Sequence, residues 1–225
     1  RLKPTTCSNA TASRIFECPN FGKTELQKYL ITCMSEHTRV IVIDNILELD
    51  SFSRTVPLDL NIWQADERNP NSKIQQLVKN ALRSNPDWLI VAESRGEEML
   101  DILNSSLTGH PIITTVHSYD ISTIPSRIVR MAMMANSKLD YNETLIDLGY
   151  HMKFYIYLKK VVKEDGSIFR YISSIGFYDN DHMEMIYECG KNGSKYHPLS
   201  SKIKKCLELS NVSDEFRELF IRNKA

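Results

Sequence analysis

Gly22-Lys23-Thr24, Asp44, Glu48, Glu93, Arg95 and His117 are the residues in this sequence whose types and spacing can do chemistry, and phosphoryl transfer is the chemistry they suit. A lysine and a hydroxyl residue where a loop becomes a helix can bind phosphate. Backbone N–H groups and the helix N-terminus hold the oxygens, the ammonium offsets the β/γ charge, and the hydroxyl ligates Mg²⁺. A carboxylate such as Glu93 can orient an attacking water, in a reaction that mostly needs positioning and charge neutralisation. Asp44 reads either as a strand-end turn residue or as an acidic group near Mg²⁺ or that water, and Glu48 follows close behind it.

The full loop runs Glu17-Cys18-Pro19-Asn20-Phe21-Gly22-Lys23-Thr24, with Glu25 next. Against the pattern G-x-x-x-x-G-K-[ST], Glu17 stands where glycine is wanted. Phe21 stands where a small residue is usual. A carboxylate at the loop entrance repels phosphate unless it points away. Taken alone, the segment reads equally as a phosphate loop or as an ordinary loop–helix junction. On the first reading, Pro19, Asn20, Phe21, Gly22, Lys23, Thr24 and Glu25 bind nucleotide, and Thr24 is the magnesium ligand.

These groups must be held at one place, and the stretch NPDWLIVAESRGEEMLDILNSSLTGHPIITTVHS (residues 85–118) supplies the frame. Its two apolar runs, residues 88–92 and 112–116, have the length and β-branched content of buried parallel strands. Residues 96–107 between them have helical spacing, which makes a βαβ unit. Glu93, Ser94 and Arg95 follow the first strand, and His117 and Ser118 follow the second. In open α/β sheets the ligand crevice lies beyond the carboxyl ends of the strands, so Glu93 and His117 are expected to face one crevice.

The other elements follow the same logic. Ile15-Phe16 can end a short strand ahead of the loop, and residues 24–34 have helical spacing. RVIVI (39–43) is a strong buried strand ending at Asp44. Residues 50–72 read as irregular, with Pro57, Pro70, Arg54 and Arg68; a loop arginine can also reach a neighbour's γ-phosphate. Residues 73–84 form a clean amphipathic helix, and 121–135 read as another. A short helix over 142–148 ends at Gly149, a plausible C-cap. From residue 150 the period changes to alternation: residues 151–162, a turn at 164–167 and the return through IFRYISSIGFY make an antiparallel hairpin. Residues 182–188 suit a third strand, 189–198 a loop, and 199–210 and 213–223 two short helices. The expected division is a linker at 1–13 left from a preceding N-terminal domain, a nucleotide-binding core at 14–150, and a hairpin-and-helix subdomain at 151–225.

Composition narrows the classes. The 225 residues are 42% hydrophobic, enough for one sizeable α/β core. Lys+Arg and Asp+Glu balance at 28 each, so no global charge points to nucleic acid or an anionic membrane. No apolar run approaches the ~20 residues that span a bilayer. Five scattered cysteines without a CxxC pair fit a reducing cytosol and argue against a zinc module or disulfide framework.

Four boxes together resemble the secretion traffic ATPases, the hexameric ATPases of type II secretion, type IV pili, conjugation and tight-adherence pili. Leu82-Arg83, Pro86-Asp87, the apolar run, Glu93, Arg95 and Gly96 match their Walker B signature. Thr108-Gly109-His110 and Thr115-Val116-His117 match their histidine box, and Asp44, Asn45 and Glu48 occupy the place of their aspartate box. The order and spacing hold over residues 14–135. The departures are the glycine-poor phosphate loop, Asn45 in place of an acid, and Ala92 in place of a glycine before Glu93.

The resemblance implies an α/β fold: a RecA-like P-loop NTPase domain with a mostly parallel central sheet and a small C-terminal β-hairpin/helix appendage. It implies an ATP-hydrolysing motor subunit using ATP and Mg²⁺. Catalytic roles would fall to Glu93, His117, His110, Asp44 and Glu48, and arginine contacts to Arg54, Arg68 or Arg95. It further implies a homo-oligomer, a hexameric ring in the whole protein, working with inner-membrane secretion or pilus proteins. Such a ring lies in the cytoplasm, at the cytoplasmic face of the membrane, which it reaches through partners, without direct nucleic-acid contact. The alternative is a degenerate, weakly or non-hydrolysing structural or regulatory subunit of such a ring, which Glu17 and Phe21 favour and Glu93 and His117 oppose.

Overall fold

In β2 (Arg39–Asp44) four consecutive branched residues are fully buried, as a strand with neighbours on both edges and helices on both faces requires. Alternate side chains leave opposite faces. Val40 and Val42 meet Leu30 and Ile31 of α1 (Lys23–Thr32). Ile41 and Ile43 enter a larger cluster with Val78 and Ala81 of α3 (Ile74–Arg83). The same split recurs in β4 (Trp88–Val91) and β5 (Ile112–Thr115): Leu89, Val91 and Ile112 on the second face, Ile90 and Ile113 on the first. The second face is covered by α3, α4 (Met99–Leu107), α5 (Ile124–Ala135) and α6 (Tyr141–His151).

The computed structural model describes residues 14–16, 22–162, 166–179, 182–190 and 193–208. Outside the described residues lie the expected linker at 1–13, the loop residues Glu17, Pro19, Asn20 and Phe21, and the helix expected at 213–223. Among the described residues a single nine-stranded sheet runs β3-β2-β4-β5-β1-β6-β7-β8-β9. β3 is Asp59–Gln64, β1 is Arg14–Phe16 and β6 is Phe154–Val162. From β3 to β6 all neighbours are parallel. The expected hairpin is β6 with β7 (Ile168–Asp179), followed by β8 (His182–Gly190) and β9 (Gly193–Tyr196), all antiparallel. β6 pairs in parallel with β1, Arg14 opposite Phe154, so the C-terminal strands continue the same sheet. α7 (Ser201–Glu208) and the segment before it place Ile203 and Leu199 against Phe177 and Ile186.

Three expectations are corrected. Residues 50–72, read as irregular, contain the short helix α2 (Asp50–Ser53), strand β3 and a 3₁₀ turn at Pro70–Ser72. β3 pairs with β2 on one side, so it needs only a partial apolar pattern. Within the loop expected over 189–198 lie the end of β8 and the strand β9, a polar edge strand of exposed residues, while 197–198 stay irregular. The helix at 142–148 does not stop at Gly149: α6 runs to His151 and delivers Met152, fully buried, to the core.

Candidate functional site

Strand register decides which side chains meet. Val91 of β4 lies opposite Thr114 of β5 and Ile43 of β2, while Thr115 lies opposite Phe16 of β1. The residues at and just beyond the ends of β2, β4 and β5 therefore converge at one edge. These are Asp44 with Glu48, Glu93 and His117, and the start of α1 meets them there through Lys23 and Thr24. The switch point falls where β1 sits between β5 and β6.

Lys23, Glu93 and His117 form one cluster. His117 Nε2 lies 2.6 Å from Glu93 Oε1, and Lys23 Nζ lies 3.5 Å from the same oxygen and 3.3 Å from His117 Nε2. With Glu93 ionised, Nε2 carries the imidazole proton and donates it to the carboxylate. The second carboxylate oxygen accepts from Arg95 Nη2 at 2.6 Å. The strand ends beneath are pinned. Thr115 Oγ1 and Gln27 Nε2 both donate to the Ala92 carbonyl, at 2.6 and 3.3 Å. Ser94 Oγ pairs with Thr114 Oγ1 at 2.8 Å, in the fully buried layer. Glu98 accepts from the Arg95 and Gly96 amides at 2.5 and 3.0 Å, closing the turn that carries Arg95.

The α1 end is built around Gly22, whose φ of 90° is the left-handed conformation that glycine adopts without a Cβ clash. Thr24 Oγ1 donates to Glu48 Oε2 at 2.6 Å. The Asp44 carboxylate accepts from the Ile46 and Glu48 amides at 3.1 and 3.0 Å. Asp44 thus holds the turn, and Glu48 is the carboxylate that reaches the α1 end. Thr24 and Glu48 are hard oxygen donors, a chemistry that suits Mg²⁺ when substrate phosphates and water complete the shell.

The remaining predicted residues sit elsewhere. His110 lies at the amino end of β5, its Nδ1 3.0 Å from Thr108 Oγ1, and closes the turn around Gly109. Arg54 caps the end of α2 and is exposed. Arg68 is 91% exposed and bonds Asp66 two residues away. Arg95 is the arginine in contact with the cluster. Glu25 is exposed on the first turn of α1 and bonds Lys28. Gln27, Thr114 and Glu98 escaped sequence reasoning, Ser94 entered it only as a polar residue after a strand, and Glu98 left a signal as an acid at the start of a helix.

Electrostatics fix the charge states. Burial pushes the Glu93 carboxyl up, but the hydrogen bond from Arg95, the Lys23 and Arg95 charges and the bond to His117 outweigh it and hold the group below the ordinary carboxylate range. Burial and the Lys23 ammonium hold the His117 imidazole below its usual value, against the upward pull of Glu93. At neutral pH the site holds an anionic Glu93 and a neutral His117. Both shifts act alike on stability. The folded chain keeps Glu93 ionised to lower pH than the unfolded chain, a contribution lost as pH falls through the folded value. The unfolded chain protonates its histidine first, so acidification below the usual imidazole value favours unfolding. The urea midpoint is therefore expected to fall toward acid in two steps. His117→Gln should erase the upper step and keep the lower one. A variant profile that parallels the parent between about pH 7 and 5 would remove His117 from this linkage.

A family model described as type II/IV secretion system protein matches residues 21–148. An uncharacterised protein of Bacillus anthracis is 26% identical over 213 residues, 86% of this chain and 47% of its own length. The VirB11 ATPase of the Brucella suis type IV secretion system, solved in complex with sulphate, aligns with a TM-score of 0.63 at 23% identity. That alignment covers 74% of this chain and 48% of that one. The Legionella pneumophila ATPase DotB aligns with a TM-score of 0.59 at 22% identity, over 76% of this chain and 46% of that one. The chain spans about half the length of these relatives. The likeness to the two solved structures is one of fold: the α/β, RecA-like architecture with a mostly parallel sheet.

Proposed function

The chain belongs to the type II/IV secretion system protein family, and on that premise we propose that it is the ATP-hydrolysing part of a motor subunit that drives secretion, conjugation or pilus assembly. The observation that carries this reading is the Lys23–Glu93–His117 cluster at the carboxyl ends of β1, β4 and β5, with Thr24 and Glu48 beside it.

Lys23 binds the β/γ-phosphates of ATP, with Gly22 and the first turn of α1 offering backbone N–H groups to phosphate oxygens. Pro19, Asn20 and Phe21 complete that loop by sequence. Thr24 holds Mg²⁺, whose role when bound is to offset phosphate charge. Asp44 fixes the turn that presents Glu48 to Thr24. Glu93, kept anionic by Arg95 and Lys23, accepts the proton of the attacking water and orients it. His117, neutral and bonded to Glu93, holds that carboxylate in place and senses loss of the γ-phosphate. His110 shapes its own turn at the far end of β5, and Arg54 and Arg68 are exposed enough to reach a neighbouring subunit.

The working state on this reading is a homo-oligomeric ring, hexameric in the whole protein, at the cytoplasmic face of the inner membrane. Among the described residues no helix is long and apolar enough to cross a membrane. On this reading the ring is held at the membrane by secretion or pilus proteins. The test is calorimetric titration of the purified chain with Mg-ATP, followed by phosphate release. Saturable binding with turnover supports a motor. Binding without turnover favours a non-hydrolysing ring subunit, and no binding at millimolar ATP rejects the nucleotide site.

A further inference from the structure

We propose that Arg170, on the C-terminal hairpin, is a nucleotide-binding residue that adds positive charge to the phosphate loop from the second half of the sheet; this rests on the nucleotide site proposed above. The juxtaposition is direct. A Cβ built on Gly22 would lie 3.5 Å from Arg170 Cδ, so the arginine stem packs on the residue immediately before Lys23. The two positions are 148 residues apart in the chain and meet because β6 is the parallel neighbour of β1.

The register explains how the hairpin reaches that far. Tyr155 pairs with Ile15 near the end of β1, and β6 then continues to Val162. At roughly 3.3 Å per residue the hairpin overhangs the end of β1 by well over 10 Å. It overhangs on the side where Glu93 and His117 sit, since the strands are parallel. Its two faces differ. Leu158 lies opposite Ile172, and both belong to the cluster that packs on Leu26, Leu30 and Ile31 of α1. Two residues further along each strand, on that same face, stand Lys160 and Arg170, opposite one another. The other face carries Val161, Phe169 and Tyr171, with the two rings stacked at 5.6 Å. The α1 face of the hairpin therefore turns from apolar to cationic where it passes the helix N-terminus.

Charge balance gives this arrangement a use. The loop sequence from Glu17 to Thr24 holds one lysine and one glutamate, and Lys23 already faces the Glu93 carboxylate. A nucleoside triphosphate brings several negative charges. A guanidinium beside Gly22 meets them with a planar fork of donors suited to phosphate.

The experiment is calorimetric titration of the purified chain with Mg-ATP and Mg-ADP, in parallel for the parent, Arg170→Ala, Arg170→Gln, Phe169→Ala and Lys23→Ala. Both Arg170 variants are expected to bind ATP about 10- to 30-fold more weakly. Phe169→Ala, on the opposite face of the same strand, should bind within about threefold of the parent. Parent-like affinity in either folded Arg170 variant overturns the proposal. So does an equal loss in Phe169→Ala, which would make the effect one of hairpin integrity. If Lys23→Ala loses affinity while the Arg170 variants do not, the nucleotide site stands and this inference alone falls. If the parent itself binds no nucleotide, both fall together.

Discussion

Glu93→Gln is expected to lower ATP turnover by about 10²- to 10⁴-fold, the range over which a positioned general base acts, and to leave nucleotide binding at least as strong. The amide keeps the shape of the side chain and still accepts from Arg95. It can no longer take a proton from water. It also withdraws the negative charge 3.5 Å from Lys23 Nζ, which removes a competitor of the phosphates for the ammonium. A second readout separates chemistry from positioning. Glu93 pulls the His117 imidazole upward in the parent, so in the glutamine variant that ring should titrate at lower pH, visible by NMR. Undiminished turnover in the variant would exclude Glu93 as the base.

Lys23→Ala should act on the other half of the cycle and weaken Mg-ATP affinity by about 10- to 100-fold, the worth of a charged hydrogen bond to phosphate. Its electrostatic signature is opposite in sign. Lys23 lowers both Glu93 and His117, so its removal should raise the pH at which each titrates. Affinity and titration changing together would show that one ammonium serves both partners. Unchanged ATP affinity would mean that phosphate does not meet Lys23, whatever happens to the imidazole.

The central sheet was legible because strands buried on both faces have to be apolar throughout. RVIVI, WLIVA and IITTV could hardly be anything else, and the polar residues ending each run marked the crevice. β3 was hidden by its edge position. Leu58, Leu60 and Ile62 do alternate with Asp59 and Asn61, but Pro57 and the surrounding charges masked so short a pattern. β9 carries Gly-Ser-Lys-Tyr, all exposed, and its pairing to β8 comes from the ladder rather than from burial. Glycine misled at position 149 because a buried Met152 gains more from continuing the helix than from stopping it. In the site, Glu93 and His117 were legible as strand-end residues, and Lys23 from the Gly-Lys-Thr step at a loop–helix junction. The division of labour between Asp44 and Glu48 was not, since the turn at Ile46–Glu48 decides which carboxylate faces Thr24. Arg170 could not be found from spacing at all, because a partner 148 residues away leaves no local pattern.

The seat of β1 between β5 and β6 has a bearing on how the molecule assembles itself. Arg14 is matched to Ile113 on one side and to Phe154 on the other, so this three-residue strand has no sequence-near partner. Closing loops of that length costs entropy before any ladder repays it. On the ribosome, β1 cannot complete both of its ladders until residue 155 has followed it. The parallel block of β2, β3, β4 and β5 can form without it, drawing on closer pairings. Insertion of β1, the closure that spans the most sequence in the parallel part of the sheet, is therefore expected among the later steps of folding. A chain halted before that step would hold β2, β3, β4 and β5 together with β1 not yet seated between β5 and β6.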